Sequence, residues 1–459
     1  MAEAGASRAA PNGADSTAQT IPIRLSTRSG KHSIPDAPYM VPADWRRFQL
    51  SELINKVLAY SSPVPFDFII DEQLLRTSLG AYVQSKGLTE ETALEIEYIE
   101  SILPPQFADS LPHDDWVSDV DLSRKGMILS TSYAPSVTVT APSKQQLVSF
   151  GGGAQSVLSA CWLPNGRIAT AGMDQAATVW DVPLRSLDVP DAAVAAPRAV
   201  FHLPLHTSPV ASIRAAKSSS ALLTAGWDGL VGFWKLDAAY TADGAQDDAA
   251  TDRSRAKRRR TAPADEAGVR LAPVHVLKGH RGTVSRAIFD RTDEKVGYSA
   301  GWDHHVRQWD LEVGTQVSAR TSSKVLLALD QFASANLLVT GSTDRAVAIW
   351  DTRQSTTNIS LVLSGHTSQV NAVRAHPTSA VLVASASHDA TVRVWDARSP
   401  KQALFVVRRQ PDPSKPAGAE NKVLCLDWDG QLLAAGGEDK KLELHSTSQY
   451  DELPGAATA

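Results

Sequence analysis

The chain has 459 residues, 43% hydrophobic and 21% charged, an ordinary soluble composition with room for two or three domains, or one domain and a repeat array. Its formal net charge of −5 argues against a basic nucleic-acid coat over the whole surface. Two cysteines, Cys161 and Cys425, exclude a disulfide framework and a cysteine-rich zinc site, and reduced thiols fit the cytosol or nucleus.

Residues 1–20 are rich in Ala, Ser and Gly with no apolar core, so a disordered tail is expected there and not a signal peptide. No apolar run approaches the length of a membrane span, and no membrane partner is expected. Residues 21–100 read as a small α/β domain. Ile21–Ser29 alternates as a strand and Tyr39–Val41 begins a second. Leu50–Ala59 places Leu50, Leu53, Ile54, Val57 and Leu58 on one helical face. Val64–Ile70 is a strand, Leu74–Lys86 a second helical stretch closed by Gly87, and Leu94–Glu100 the last strand. This ββ-α-β-α-β order resembles a ubiquitin-like fold. A conjugated modifier would end in a free diglycine, whereas this chain runs on through Ser101, Pro104 and Pro105. A built-in recognition domain followed by a linker over 101–115 is therefore expected.

Beyond it, six segments align: 171–181, 225–235, 300–310, 341–351, 386–396 and 436–446. Each has small residues, then Asp174, Asp228, Asp303, Asp344, Asp389 or Asp439, then an alternating strand; five of the six end on Trp. The aspartates stand 54, 75, 41, 45 and 50 residues apart. A degenerate seventh copy, without the aspartate, begins at Trp116. The pattern resembles the WD40 family, and seven copies suit a closed propeller over 116–448 with a tail at 449–459. The expected fold class is mostly β: a seven-bladed WD40 β-propeller preceded by an α/β ubiquitin-like domain. The outer strand of the last blade comes either from before Trp116 or from after Ser446.

His206, His280 and His366 precede their aspartates by 22, 23 and 23 residues. The WD40 resemblance implies buried networks of His206, Asp228 and Trp234; of His280, Ser299, Asp303 and Trp309; and of His366, Ser385, Asp389 and Trp395. A His–Asp pair is also an acid–base pattern. Here it recurs in three blades, whereas an active site occurs once. His304 and His305 are neighbours that a strand would send to opposite faces, and Gly151–Gly153 lacks the Lys-Ser/Thr of a phosphate loop. No nucleophile, metal cluster or cofactor fingerprint stands out, so a non-enzyme with no cofactor of its own and no small-molecule substrate is expected.

Residues 237–270 carry no apolar period and read as a disordered loop thrown out of the third blade. Within it, Lys257, Arg258, Arg259 and Arg260 form an uninterrupted basic core, read as a nuclear localisation signal.

Residues 63–105 and His113–Val120, with the basic loop and the 341–351 segment, closely resemble one group of eukaryotic ribosome-biogenesis factors. These are the WD-repeat subunits of the complex containing Pescadillo and the block-of-proliferation WD protein. The resemblance implies a nuclear, nucleolar and nucleoplasmic assembly factor of the large ribosomal subunit precursor. Its propeller would dock on the block-of-proliferation partner. Its ubiquitin-like domain would be bound by midasin, an AAA-type ATPase that removes it from the pre-ribosome. It also implies that an acid between the last helix and last strand completes the coordination of a Mg²⁺ ion held by the ATPase. The matching residue is Glu91, with Glu90 next to it. Two further readings remain. Trp350-Asp351-Thr352-Arg353 and Trp395-Asp396-Ala397-Arg398 resemble the WD-x-R boxes of cullin-type ubiquitin-ligase receptors. Trp227 and Trp302, each just before a turn aspartate, suit aromatic anchors for a protein partner.

Overall fold

The computed structural model describes residues 20–28, 32–60, 63–88, 93–183, 196–236, 268–333, 336–354, 359–409 and 421–448. The chain divides into two units, residues 1–101 and 102–459.

In the first unit the elements are β1 (Thr20–Ser26), β2 (Pro38–Pro42), α1 (Arg47–Leu58), β3 (Phe66–Ile70), β4 (Gln73–Leu74), α2 (Leu79–Lys86) and β5 (Leu94–Glu100). The sheet order is β2-β1-β5-β3-β4, with β1 and β5 parallel, the arrangement of a ubiquitin-like domain. Alternation puts Ile21, Ile23 and Leu25 of β1 beside Ile96 and Tyr98 of β5 in the core, and Leu50 and Ile54 of α1 cover them. Two expectations change here. The second helix begins at Leu79, not Leu74, because Asp71 and Glu72 both take positive φ and turn Gln73–Leu74 back onto β3. Ser78 caps the true start, its hydroxyl accepting the Ala81 N–H at 3.3 Å. Val57 is 38% exposed, and Ser51 takes its place in the core. The Ser51 hydroxyl accepts the Phe66 N–H and donates to the Val64 carbonyl, which satisfies it there.

The second unit is a propeller of seven sheets, each with four antiparallel strands. The inner strands of blades one to seven are Val117–Asp121, Val157–Trp162, Val210–Ala215, Val284–Phe289, Leu326–Gln331, Val370–Ala375 and Val423–Trp428. Every inner strand carries a register shift just after its first residue, a repeated bulge that bends it at the same place.

The segment expected as a linker is part of the propeller. Its residues Gln106–Pro112 form β6, which pairs antiparallel with Lys441–Ser446 and completes blade seven. The ring is thus closed by strands from both ends of the unit, and the outer strand comes from before Trp116. The insertion also departs from expectation at its end: Val269–Arg270 pairs in parallel with Phe201–His202 as a fifth strand on the outer edge of blade two. The insertion sits inside blade three, whose outer strand His275–Lys278 pairs with Leu230–Phe233. Lys257, Arg258, Arg259 and Arg260 lie outside the described residues.

Candidate functional site

The turn aspartates explain the repeat. In all six copies the Asp side chain accepts the backbone N–H two residues on, from Ala176, Leu230, His305, Ala346, Thr391 and Lys441. The intervening residue has positive φ: Gln175, Gly229, His304, Arg345, Ala390 and Lys440. His304 is therefore a turn residue, not the strand neighbour of His305. The pair still forms no cluster, and no group of three or more His, Cys, Asp or Glu suited to a metal occurs among the described residues.

The three histidine networks assemble. His206 Nδ1 lies 3.0 Å from Asp228, its Nε2 lies 2.9 Å from the Thr224 hydroxyl, and Trp234 Nε1 donates to that hydroxyl at 3.0 Å. His280 meets Asp303 at 2.8 Å and Ser299 at 2.7 Å, and Trp309 donates to Ser299 at 2.8 Å. His366, Asp389, Ser385 and Trp395 repeat the chain at 2.9, 2.7 and 2.8 Å. Burial disfavours the charged ring and pulls His206 and His280 below the usual histidine range, against the pull of their aspartates. Burial alone would raise the Asp303 and Asp389 carboxyls. The hydrogen bonds from His280 and His366, with backbone and side-chain donors, outweigh it and hold both well below the carboxylate range. Each member is paired within its blade, so these groups orient strands and have no side open to a substrate.

Other blades reach the same end differently. In blade two the place of the histidine falls to Gly152, whose carbonyl accepts the Thr170 hydroxyl at 2.7 Å. A Cβ there would meet Val137 Cγ2 at 2.3 Å. In blade seven Arg409 pairs with Asp439 and donates to the Ala435 carbonyl. Arg409 lies outside the histidine spacing, so the repeat pattern did not point to it.

Around the axis the inner strands carry a charge network that single residues in apolar strands had hidden. Arg214 Nη1 lies 3.1 Å from Asp119 and Arg286 3.7 Å from the same carboxylate. Arg374 lies 2.8 Å from Asp427 and 3.7 Å from Asp330. Burial would raise Asp119, but Arg214 and Arg286 bring it down to about 2. Asp427 also accepts the Leu122 N–H, Asp121 the Trp162 N–H, and Asp330 the Ala375 N–H, each tying one blade to the next. Both cysteines are buried, and burial pushes the Cys425 thiol up to about 12.

The aromatic anchors stand clear of these networks. Trp227 is 44% exposed and Trp302 53%, on the face that carries the turn aspartates of adjacent blades three and four. Their backbone N–H groups are fixed to the Pro209 and Thr283 carbonyls. Two further exposed aromatics share that face and were missed: Tyr133 holds the equivalent position in blade one, its N–H bonded to the Trp116 carbonyl, and its ring meets Trp116 edge-on at 5.9 Å. Isolated in the sequence, Trp116 and Tyr133 become neighbours only through the turn. The WD-x-R arginines fold back: Arg353 and Arg398 pair with Asp351 and Asp396 of their own turns, at 3.0 and 2.5 Å.

In the first unit, Gly87 ends α2 with a φ of 64° and β5 begins at Leu94. Glu90 and Glu91, between them, lie outside the described residues.

Two family models match. The NLE (NUC135) domain covers residues 21–83, and the WD domain, G-beta repeat, covers 144–181, 198–235, 271–310 and 357–396. A ribosome biogenesis protein YTM1 from Laccaria bicolor is 34% identical over 457 residues, covering 96% of this chain and 98% of that relative. The Schizosaccharomyces pombe protein of the same name is 32% identical, covering 94% and 97%. Among solved structures, the WD40 β-propeller domain of Doa1 is similar with a TM-score of 0.55 at 17% identity. It covers 75% of this chain and 98% of its own, a likeness of fold alone.

Proposed function

The chain belongs to the family of ribosome biogenesis proteins named YTM1, and from that premise we propose a non-catalytic assembly factor of the large ribosomal subunit precursor. The propeller binds a block-of-proliferation-type WD protein in a complex with Pescadillo. The ubiquitin-like domain is the handle by which a midasin-type AAA ATPase takes the factor off the particle. The observation that carries the reading is similarity across both units at once, the NLE domain and the WD repeats in one chain.

The residues suit the roles. Mg²⁺ prefers hard oxygen ligands in strict octahedral geometry, and a single carboxylate between two anchored elements can supply one. Glu91 is assigned that place on the ATPase's magnesium, with Glu90 the alternative one residue away. The aromatic arc of Trp116, Tyr133, Trp227 and Trp302 is assigned to the partner propeller, since exposed tryptophans on fixed turns are suited to protein interfaces. The basic run Lys257–Arg260 is assigned to nuclear import, which places the protein in nucleus, nucleolus and nucleoplasm.

Affinity purification of tagged wild-type and Glu91→Ala chains tests the handle. The variant should retain its WD-repeat partner and accumulate on large-subunit precursors. Normal release of the variant would discard Glu91 and turn the test to Glu90. Recovery of a cullin adaptor without ribosomal precursors would replace the assembly reading with the ligase-receptor one.

A further inference from the structure

Blade seven breaks the pattern that blades two to six share. Trp234, Trp309 and Trp395 each donate to a Thr or Ser on the adjacent strand. The strand register puts His445 in the tryptophan's place and Ala435 in the hydroxyl's place. His445 is only 3% exposed, yet neither ring nitrogen has a hydrogen bond; its Nε2 makes only a long ion pair to Glu443 at 3.6 Å, and the Phe107 ring meets it edge-on at 5.7 Å. A buried imidazole left this way costs free energy unless something pairs with it.

A cavity of about 710 Å³ lies beside His445, between the outer strand of blade six (Phe405–Arg408) and the face of blade seven. The outer edge of Phe405–Arg408 pairs with no other described strand. Phe107, 63% exposed, and exposed Val406 line the opening. The charges are lopsided. Asp439 and Glu443 face Arg409 and Lys441 also acts on Glu443, while Arg408 on the rim forms no ion pair among the described residues. The chain already shows what a blade edge of this kind accepts: Val269–Arg270 adds a short strand to the outer edge of blade two.

We propose that the gap between blades six and seven binds an extended, acidic segment of a partner protein, which adds to the free edge of Phe405–Arg408 and inserts a tryptophan beside His445. The indole N–H donates to an imidazole nitrogen, as the other blades' indoles donate to a hydroxyl. Backbone hydrogen bonds to the edge strand supply affinity, and the inserted ring supplies specificity. Arg408 and Lys441 select acidic flanks. This surface is separate from the aromatic arc.

The test uses the full chain and a displayed library of heptapeptides with a fixed central tryptophan. Clones are selected on the wild type and then measured by fluorescence anisotropy. Selection should enrich acidic and β-branched flanks. Replacing the central tryptophan by alanine should weaken a selected peptide by roughly tenfold or more. The double variant Ala435→Ser/His445→Trp, which restores the pair found in other blades, should lose binding to a similar degree without a lower unfolding midpoint. Arg408→Glu/Lys441→Glu, altered only at the exposed rim, should weaken acidic peptides and remove the salt dependence. Failure to select any clone that distinguishes wild type from Ala435→Ser/His445→Trp overturns the proposal. So does equal binding of the tryptophan and alanine peptides.

Discussion

Asp389→Ala is the sharpest probe of what holds the propeller together. The carboxylate is buried and accepts five hydrogen bonds: from His366 at 2.9 Å, the Thr367 amide and hydroxyl at 2.9 and 3.5 Å, and the Thr391 amide and hydroxyl at 3.1 and 2.5 Å. Removing it orphans the histidine N–H and one or two backbone amides. At about 1–3 kcal/mol for each unsatisfied donor, the loss is about 3–5 kcal/mol. Asp344 of blade five is the internal control. It is exposed, has no histidine, and among the described residues accepts from Ser342 and the Ala346 amide alone. Asp344→Ala should therefore cost about 1 kcal/mol. Urea unfolding followed by tryptophan fluorescence reads the propeller selectively, because Trp45 alone of the 11 tryptophans lies before residue 102. Ser385→Ala combined with Asp389→Ala should cost less than the sum of the two, since both act on His366. If Asp389→Ala and Asp344→Ala shift the midpoint equally, the network does not carry the stability assigned to it.

Trp227→Ala with Trp302→Ala should leave the unfolding midpoint within about 1 kcal/mol of wild type, because both rings are largely exposed, yet weaken capture of the WD-repeat partner by tenfold or more. Unchanged capture in a pull-down would move the partner surface elsewhere on the propeller. For pH, His206 and His280 have folded pKa values below their unfolded ones, so their contribution is complete above about pH 6.5 and declines as pH falls through that region. Asp303 and Asp389 are also depressed, so a second loss follows below about pH 4. A urea midpoint that stayed flat from pH 7.5 to 5.5 would contradict the first step.

What could be read from the sequence was what each repeat does locally and often. An aspartate turn needs the same few residues each time, and the histidine and tryptophan that complete it keep their distance because strand length keeps it for them. The parts that escaped have weak local signals. β6 reads as polar because an outer strand buries little; only Leu111 of its seven residues is buried, Pro105 precedes it and Pro112 ends it. Asp119, Arg214 and Arg286 are lone charges in apolar strands far apart in sequence, and only ring closure makes them partners. Ser51 displaced Val57 from the helix core because two backbone groups of the next strand needed its hydroxyl, a demand that no helical period reveals.

The seventh blade concentrates these departures, and ring closure accounts for them. The other blades are each built from one continuous stretch of core strands, apart from the insertion within blade three, so the turn, histidine and tryptophan can be satisfied together. Blade seven takes its outer strand from residues 106–112 and the other three from residues 423–446. Its turn aspartate is answered by Arg409, which arrives at the end of blade six and not from the histidine position. That arginine neutralises Asp439 but reaches the backbone where other blades offer a hydroxyl, so His445 has no hydroxyl to meet and is left with Glu443 at 3.6 Å. The cost of that weakly paired ring is tolerable because axial ion pairs and the Leu122 N–H bond to Asp427 already hold the closure. A blade stabilised from its inner strand can leave its outer seam open, and that seam, beside a buried imidazole, is where the proposed partner segment would enter.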